Sequence, residues 1–172
     1  MSITIRPCGP GDAAALALVG QATFLETYAG TLPVADILDH CATEHGEAYY
    51  ARALARPDHR LWIAEMAEGQ APVGYAVLCP PDLPTPSEAG DVELKRIYLL
   101  HRFHGSGLGG RLMSAALEGA RAAGSGRMLL GVYRENERAM AFYARQGFVE
   151  VGVRKFKVGA RFYDDPVLAR TL

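Results

Sequence analysis

Apolar residues fall in two rhythms along this chain, and the switches between them mark out its elements. Residues 2–6, with Ile3 and Ile5 between polar neighbours, alternate and predict an opening strand. Pro7, Gly9, Pro10 and Gly11 interrupt it. Asp12 stands where a cap would start a helix over 12–28, with Leu16, Val19, Phe24 and Tyr28 on or near one face. After the break at 30–33, residues 34–45 predict a second helix and 47–56 a third, stopped by Pro57. Residues 60–67, around Leu61, Trp62 and Ile63, and residues 73–79 predict a hairpin across the turn at 68–72. Pro80, Pro81, Pro84 and Pro86 make 80–90 a loop.

The second half follows the same logic around one dominant stretch. Val92, Leu94, Ile97, Tyr98, Leu99 and Leu100 are dense in strand formers and predict a buried strand. Beyond a glycine turn, Leu108, Leu112, Ala115, Ala116 and Gly119 recur at helical spacing, and Gly124-Ser125-Gly126 closes that helix. A strand over 127–133 and a short helix over 136–146, ended by Gly147, come next. Strands over 148–158 and 161–169 close the chain as a hairpin with Gly159-Ala160 at the turn. Phe162, Tyr163, Asp164 and Asp165 fall on that last strand and suggest no chemistry. With no repeat, low-complexity tract or linker, one mixed α/β domain over 1–172 is the economical expectation.

The glycines carry the first chemical signal. Four of them, Gly105, Gly107, Gly109 and Gly110, fall within six residues between a strand and a helix. Glycine reaches positive φ and leaves no Cβ in a ligand's way, and backbone N–H groups at a helix start favour an anion. That combination predicts a main-chain cradle for a diphosphate. Gly105, Gly107 and Gly110 also satisfy G-x-G-x-x-G, with Glu135 after the next strand, so a Rossmann-like NAD(P)-binding oxidoreductase is an alternative. Hairpins on both sides of the motif, in place of repeated βα units, weigh against it.

Composition narrows the partners. Hydrophobic residues make up 49% of the chain and charged residues 22%, as in an ordinary globular protein, and the net charge of −1 advertises neither nucleic acid nor a membrane surface. No apolar run reaches membrane-spanning length, and the N-terminus lacks the basic-then-apolar layout of a secretion signal. Cys8, Cys41 and Cys79 are far apart and form no C-x-x-C pair, which favours a reducing cytoplasm. His40, Cys41 and His45 have a faint metal-like spacing without a fourth ligand, so no metal is expected.

Three segments together resemble the GCN5-related N-acetyltransferase (GNAT) superfamily. They are the motif strand, the turn His104-Gly105-Ser106-Gly107-Leu108-Gly109, and the downstream Asn136-Glu137-Arg138-Ala139-Met140-Ala141-Phe142-Tyr143 with Gly147-Phe148. They cover roughly 92–148, and the C-terminal third is similar to bacterial PaiA-type spermidine/spermine acetyltransferases. The resemblance implies the GNAT fold: a central, mostly antiparallel mixed sheet of about seven strands, helices on both faces and a splayed central strand pair. It implies acetyl-CoA as the acetyl donor, a small primary amine, polyamines included, as acceptor, and a homodimer. Ile97, Tyr98 and Leu99 would line the pantetheine arm, and the diphosphate would rest on His104, Gly105, Ser106, Gly107, Leu108, Gly109 and Gly110. The superfamily usually carries Gln or Arg where His104 stands, and Arg102 fits an alternative register.

Acyl transfer to an amine needs a base, oxyanion stabilisation and an acid for the leaving thiolate. Tyr143 matches the family's tyrosine, and a phenol with a pKa near 10 suits protonation of a departing sulfur. It could equally be a helix-face aromatic packed beside Phe142 and Phe148. Asn136 would face the cofactor arm or simply cap its helix. Glu93 is the candidate base through water, or else a structural partner of Lys95 or Arg96, with Asp91 a weaker substitute. Phe24, Glu26 and Tyr28 with the 80–90 loop would build the acceptor site, where Asp36, Asp39, Glu44, Asp82 and Glu88 could attract a cation. No serine or cysteine sits in a nucleophile setting, Cys79 being the least remote, so transfer would be direct within a ternary complex. A non-catalytic CoA- or polyamine-binding module is the third reading.

Overall fold

The computed structural model describes residues 2–158 and 161–172. The expected turn at Gly159-Ala160 lies outside them. In chain order the elements are β1 (Ile3–Pro7), α1 (Ala13–Tyr28), α2 (Val34–Thr43), α3 (Glu47–Leu54), β2 (Arg60–Met66), β3 (Pro72–Cys79), β4 (Asp91–Leu99), α4 (Leu108–Ala122), β5 (Arg127–Gly131), α5 (Glu137–Arg145), β6 (Val149–Val158) and β7 (Arg161–Thr171). The seven strands run in the order β1-β2-β3-β4-β5-β7-β6. β1 and β2 pair antiparallel, as do β5 and β7 and β6 and β7, whereas β4 and β5 are parallel. The result is a mixed, mostly antiparallel sheet. A doubly wound dinucleotide fold needs a parallel one, so that alternative falls away.

The backbone groups into two compact units, Met1–Val77 with Arg96–Ala116, and Leu78–Lys95 with Leu117–Leu172. In the first, α1 and α3 bury Leu16, Val19 and Tyr50 with Ile63 of β2 and Tyr75 and Val77 of β3. β2 is buried at every position from Leu61 to Glu65, so its apolar residues Leu61, Trp62, Ile63 and Ala64 run together and do not alternate. Gly74 lets β4 lie close to β3. A Cβ there would meet the Leu99 side chain and, at 2.7 Å, the Tyr98 carbonyl oxygen.

Asp12 corrects one expectation. It makes no cap bond to α1. Its carboxylate accepts from the Gly9 amide at 2.7 Å and from Arg6 Nη1 and Nη2 at 2.9 and 2.8 Å. The same guanidinium grips buried Glu65 at 2.9 and 3.0 Å. A two-point guanidinium contact outcompetes a helix amide and holds the Asp12 carboxyl below its ordinary range.

In the second unit, Met128, Leu129 and Leu130 of β5 are buried beside Val167, Leu168 and Ala169 of β7. β4 joins β5 over Asp91–Glu93 against Arg127–Leu129, and then runs on beyond that ladder. Arg127 forks onto Asp91 at 3.0 and 2.7 Å. β6 follows β7 from Val149 opposite Ala169, with a register shift between Glu150 and Gly152.

Candidate active site

The glycine turn belongs to the first unit. Gly105 and Gly107 adopt φ of +78° and +82°, a region that disfavours side chains. A Cβ built on either would meet nothing within 4 Å, so the backbone stands open to a ligand. α4 then starts at Leu108, and the Arg111 amide reaches back to the Gly107 carbonyl at 3.2 Å. The earliest amides of a helix have no acceptor one turn back, and they carry the positive end of its dipole. Ser106 Oγ donates to the Phe103 carbonyl at 2.6 Å and steadies the turn. This open, amide-rich bend fits a diphosphate.

Around the turn, Phe103 and His104 are half-buried, whereas His101, Arg102 and Ser106 are exposed. His104 Nε2 lies 3.0 Å from the Leu99 carbonyl oxygen, and its half-buried ring is tilted against His101 at 5.1 Å. Of the expected pantetheine partners, Ile97 and Tyr98 are half-buried, while Leu99 is buried with its carbonyl engaged by His104. The Arg102 guanidinium lies 5.1 Å over the Phe103 ring. Glu26 of α1 accepts from the His101 amide at 2.9 Å and so holds the start of the turn.

An aromatic cluster with one buried cation fills the same unit. Phe24 stacks on His40 with centroids 4.2 Å apart and tilts against Tyr28 at 4.5 Å and His45 at 5.4 Å. His45 Nδ1 lies 2.9 Å from Tyr50 Oη. Gly20 makes room for both, since a Cβ there would stand 2.6 Å from the imidazole and 2.7 Å from the hydroxyl. Burial, reinforced by the Arg96 charge, pushes His45 down to about 3, and burial pushes the Tyr50 phenol up to about 12. Both are therefore neutral at pH 7.

Arg96 of β4 is only 8% exposed, with its guanidinium carbon 4.5 Å from the Tyr49 ring centroid and Nη2 3.1 Å from Glu44 Oε2. Sequence reasoning weighed Arg96 only as a partner for Glu93. Its signal was the strand alternation that places Arg96 on the same face as Tyr98. His40 and His45 serve this cluster, and among the described residues no three His, Cys, Asp or Glu side chains converge as metal ligands.

The remaining predicted residues belong to the second unit. Glu93 is 3% exposed, and its Oε2 accepts from the Asp82 amide at 2.8 Å. The anticipated ion-pair partners pair elsewhere, Arg96 with Glu44 and Lys95 with Asp82 at 4.0 Å. Asp91 is held by Arg127, which lowers its carboxyl below the ordinary range. Asn136 caps α5, its Oδ1 accepting from the Ala139 amide at 3.0 Å. Tyr143 is half-buried, edge-on to Phe142 at 5.4 Å and to Phe148 at 5.8 Å. Among the acids considered for drawing in a cation, Glu44 and Asp82 are thus in ion pairs, and Glu88 lies 3.6 Å from Arg127.

Comparison with known proteins gives this arrangement a context. Residues 26–148 match the model of the acetyltransferase (GNAT) family. A Mycobacterium tuberculosis protein described as an uncharacterized N-acetyltransferase is 35% identical over 161 residues, 94% of this chain and 98% of that protein. The crystal structure of PaiA N-acetyltransferase from Thermoplasma acidophilum in complex with coenzyme A is similar along 100% of both chains, with a TM-score of 0.78 at 20% identity. YncA of Salmonella typhimurium, solved with its cofactor acetyl-CoA, has a TM-score of 0.69 at 24% identity and covers 100% of this chain and 95% of its own.

Proposed function

We propose, since the chain belongs to the acetyltransferase (GNAT) family and so is an acetyl-CoA-dependent N-acetyltransferase, that residues 1–172 act as one catalytic domain acetylating a small primary amine by direct transfer in a ternary complex. The observation that carries this reading is the open positive-φ backbone at Gly105 and Gly107 at the start of α4. Acetyl-CoA supplies an acetyl group activated as a thioester. Amides of residues 105–110 hold the diphosphate, the backbone of Ile97, Tyr98 and Leu99 aligns the pantetheine arm, and Asn136 is a further residue proposed to bind the cofactor. Phe24, Glu26 and Tyr28 face the acceptor.

Glu93, through water, takes a proton from the acceptor ammonium, because only the free amine has a lone pair to attack with. Tyr143 Oη gives its proton to the departing sulfur and recovers one from the nitrogen that has attacked, so that a C–N bond forms, a C–S bond breaks and a thiol leaves. The free Cys8, Cys41 and Cys79 support a reducing, cytoplasmic setting, and the family likeness supports a homodimer.

Thiol release from acetyl-CoA across a panel of amines, polyamines among them, tests the proposal. Tyr143→Phe is expected to lower kcat by roughly 10- to 1000-fold. Unchanged turnover removes Tyr143 from the mechanism. Tight CoA binding with no release from any amine leaves only a binding module, and acetylated protein accumulating without amine contradicts direct transfer.

A further inference from the structure

We propose that Arg96 anchors a carboxylate on the acceptor, so that the amine acetylated is an amino acid or another carboxylate-bearing primary amine. This rests on the acetyltransferase reading and narrows it.

A guanidinium withdrawn from water is costly unless its charge and its donors are met. Arg96 is buried among phenols, none of which bears a charge to match it. Its guanidinium carbon lies 4.5 Å from the Tyr49 centroid and 5.9 Å from that of Tyr50, whose ring stands 6.0 Å from Tyr75. Its ion pair with Glu44 engages Nη2 at 3.1 Å, and the Glu44 side chain is 43% exposed. Guanidinium forks are suited to two-point contacts with carboxylates. Here the second arm is idle: among the described residues, buried Nη1 has no hydrogen-bond partner. Neither has the hydroxyl of Tyr75, whose side chain is fully buried. The Tyr50 hydroxyl interacts with both side chains but is itself engaged by His45 Nδ1 at 2.9 Å, so an anionic oxygen would supply Arg96 Nη1 with the stronger acceptor.

The surrounding charge sets the sign of the ligand. His45 is neutral, and burial together with the Arg96 charge lowers His40 below its ordinary value. A diamine would bring a second positive charge towards Arg96, whose ion-pair partner among the described residues is Glu44. A carboxylate would instead take the place of Glu44, whose own side chain is 43% exposed. Glu44, the C-cap residue of α2, then acts as a placeholder that covers the fork until acceptor arrives.

Matched acceptors test this directly: lysine against cadaverine, ornithine against putrescine, leucine against isopentylamine and phenylalanine against phenethylamine, read as kcat/KM by thiol release. A charge-assisted hydrogen bond discriminates by roughly 10- to 100-fold, so the acid-bearing member of at least one pair should win by that factor. Arg96→Gln should collapse the ratio by raising KM for the amino acid. Glu44→Gln should lower that KM several-fold, because the internal competitor is weakened, and this arm decides the matter if Arg96→Gln does not fold. Preference for the decarboxylated partner in every pair overturns the proposal, as does a KM for the amino acid that Glu44→Gln leaves unchanged. Thermal shift with 3-phenylpropionate, which has no amine, separates the two readings. Stabilisation of the wild type but not of Arg96→Gln supports the anchor even if no amine is acetylated, and equal response of the two proteins overturns it.

Discussion

Two regions of the first unit offer opposite means of binding. The turn over 104–110 presents main-chain amides, while the His104 ring is turned to the Leu99 carbonyl and the exposed Ser106 hydroxyl to the Phe103 carbonyl. The Arg96 cluster presents side chains alone, gathered from α1, α2, α3, β3 and β4. A backbone site depends on conformation and on the absence of Cβ atoms at its glycines, so only the side chains at its other positions can vary without harm. A side-chain cluster depends on each hydroxyl and charge, and tolerates few changes.

That contrast can be broken by substitution. Gly107→Val places a branched side chain at φ +82° and into the open face of the turn. It is expected to weaken CoA affinity at least about 100-fold by calorimetry, while the strained φ costs roughly 1–2 kcal/mol of stability. Affinity within threefold of wild type would show that the amides do not hold the diphosphate.

Tyr50→Phe makes the complementary cut. It strips the hydroxyl from buried His45 Nδ1 and should cost about 1–3 kcal/mol in urea unfolding, leaving CoA affinity alone. A loss of CoA affinity matching the loss of stability would mean that the two regions are not independent.

Titration sharpens the comparison further. His45 stays neutral in the folded protein down to about pH 3, but in the unfolded chain it takes up a proton near its ordinary value of 6.5. Its contribution is intact above pH 6.5 and is lost as the pH falls towards 3, at no more than about 1.4 kcal/mol per pH unit. His45→Gln should therefore flatten the fall of stability between pH 6.5 and 4. An unchanged slope would mean that carboxylates alone drive the acid loss.

Much of this was legible in the residues. Pro57, Gly147 and the four prolines of 80–90 punctuate elements wherever they occur, and α1, β2 and α4 lie within a few residues of expectation. Asn136 capping α5 is local chemistry over three residues, readable without a fold. Asp12 was misread because its stronger partner, Arg6, comes from the strand before it and brings Glu65 of β2 along. Arg96 was undervalued for the same reason, since nothing near it in the chain reveals Tyr49, Tyr75 or Glu44.

By itself the chain determined its strand and helix rhythm, its glycine bend and the superfamily it resembles. Each of these depends on propensities and steric allowances that act between neighbours. Tertiary structure alone decided that Arg96 would be enclosed by phenols with one arm unmet and that His45 would be held neutral. Burial and electrostatic environment are set by residues distant in sequence, and they exist only once the elements have packed.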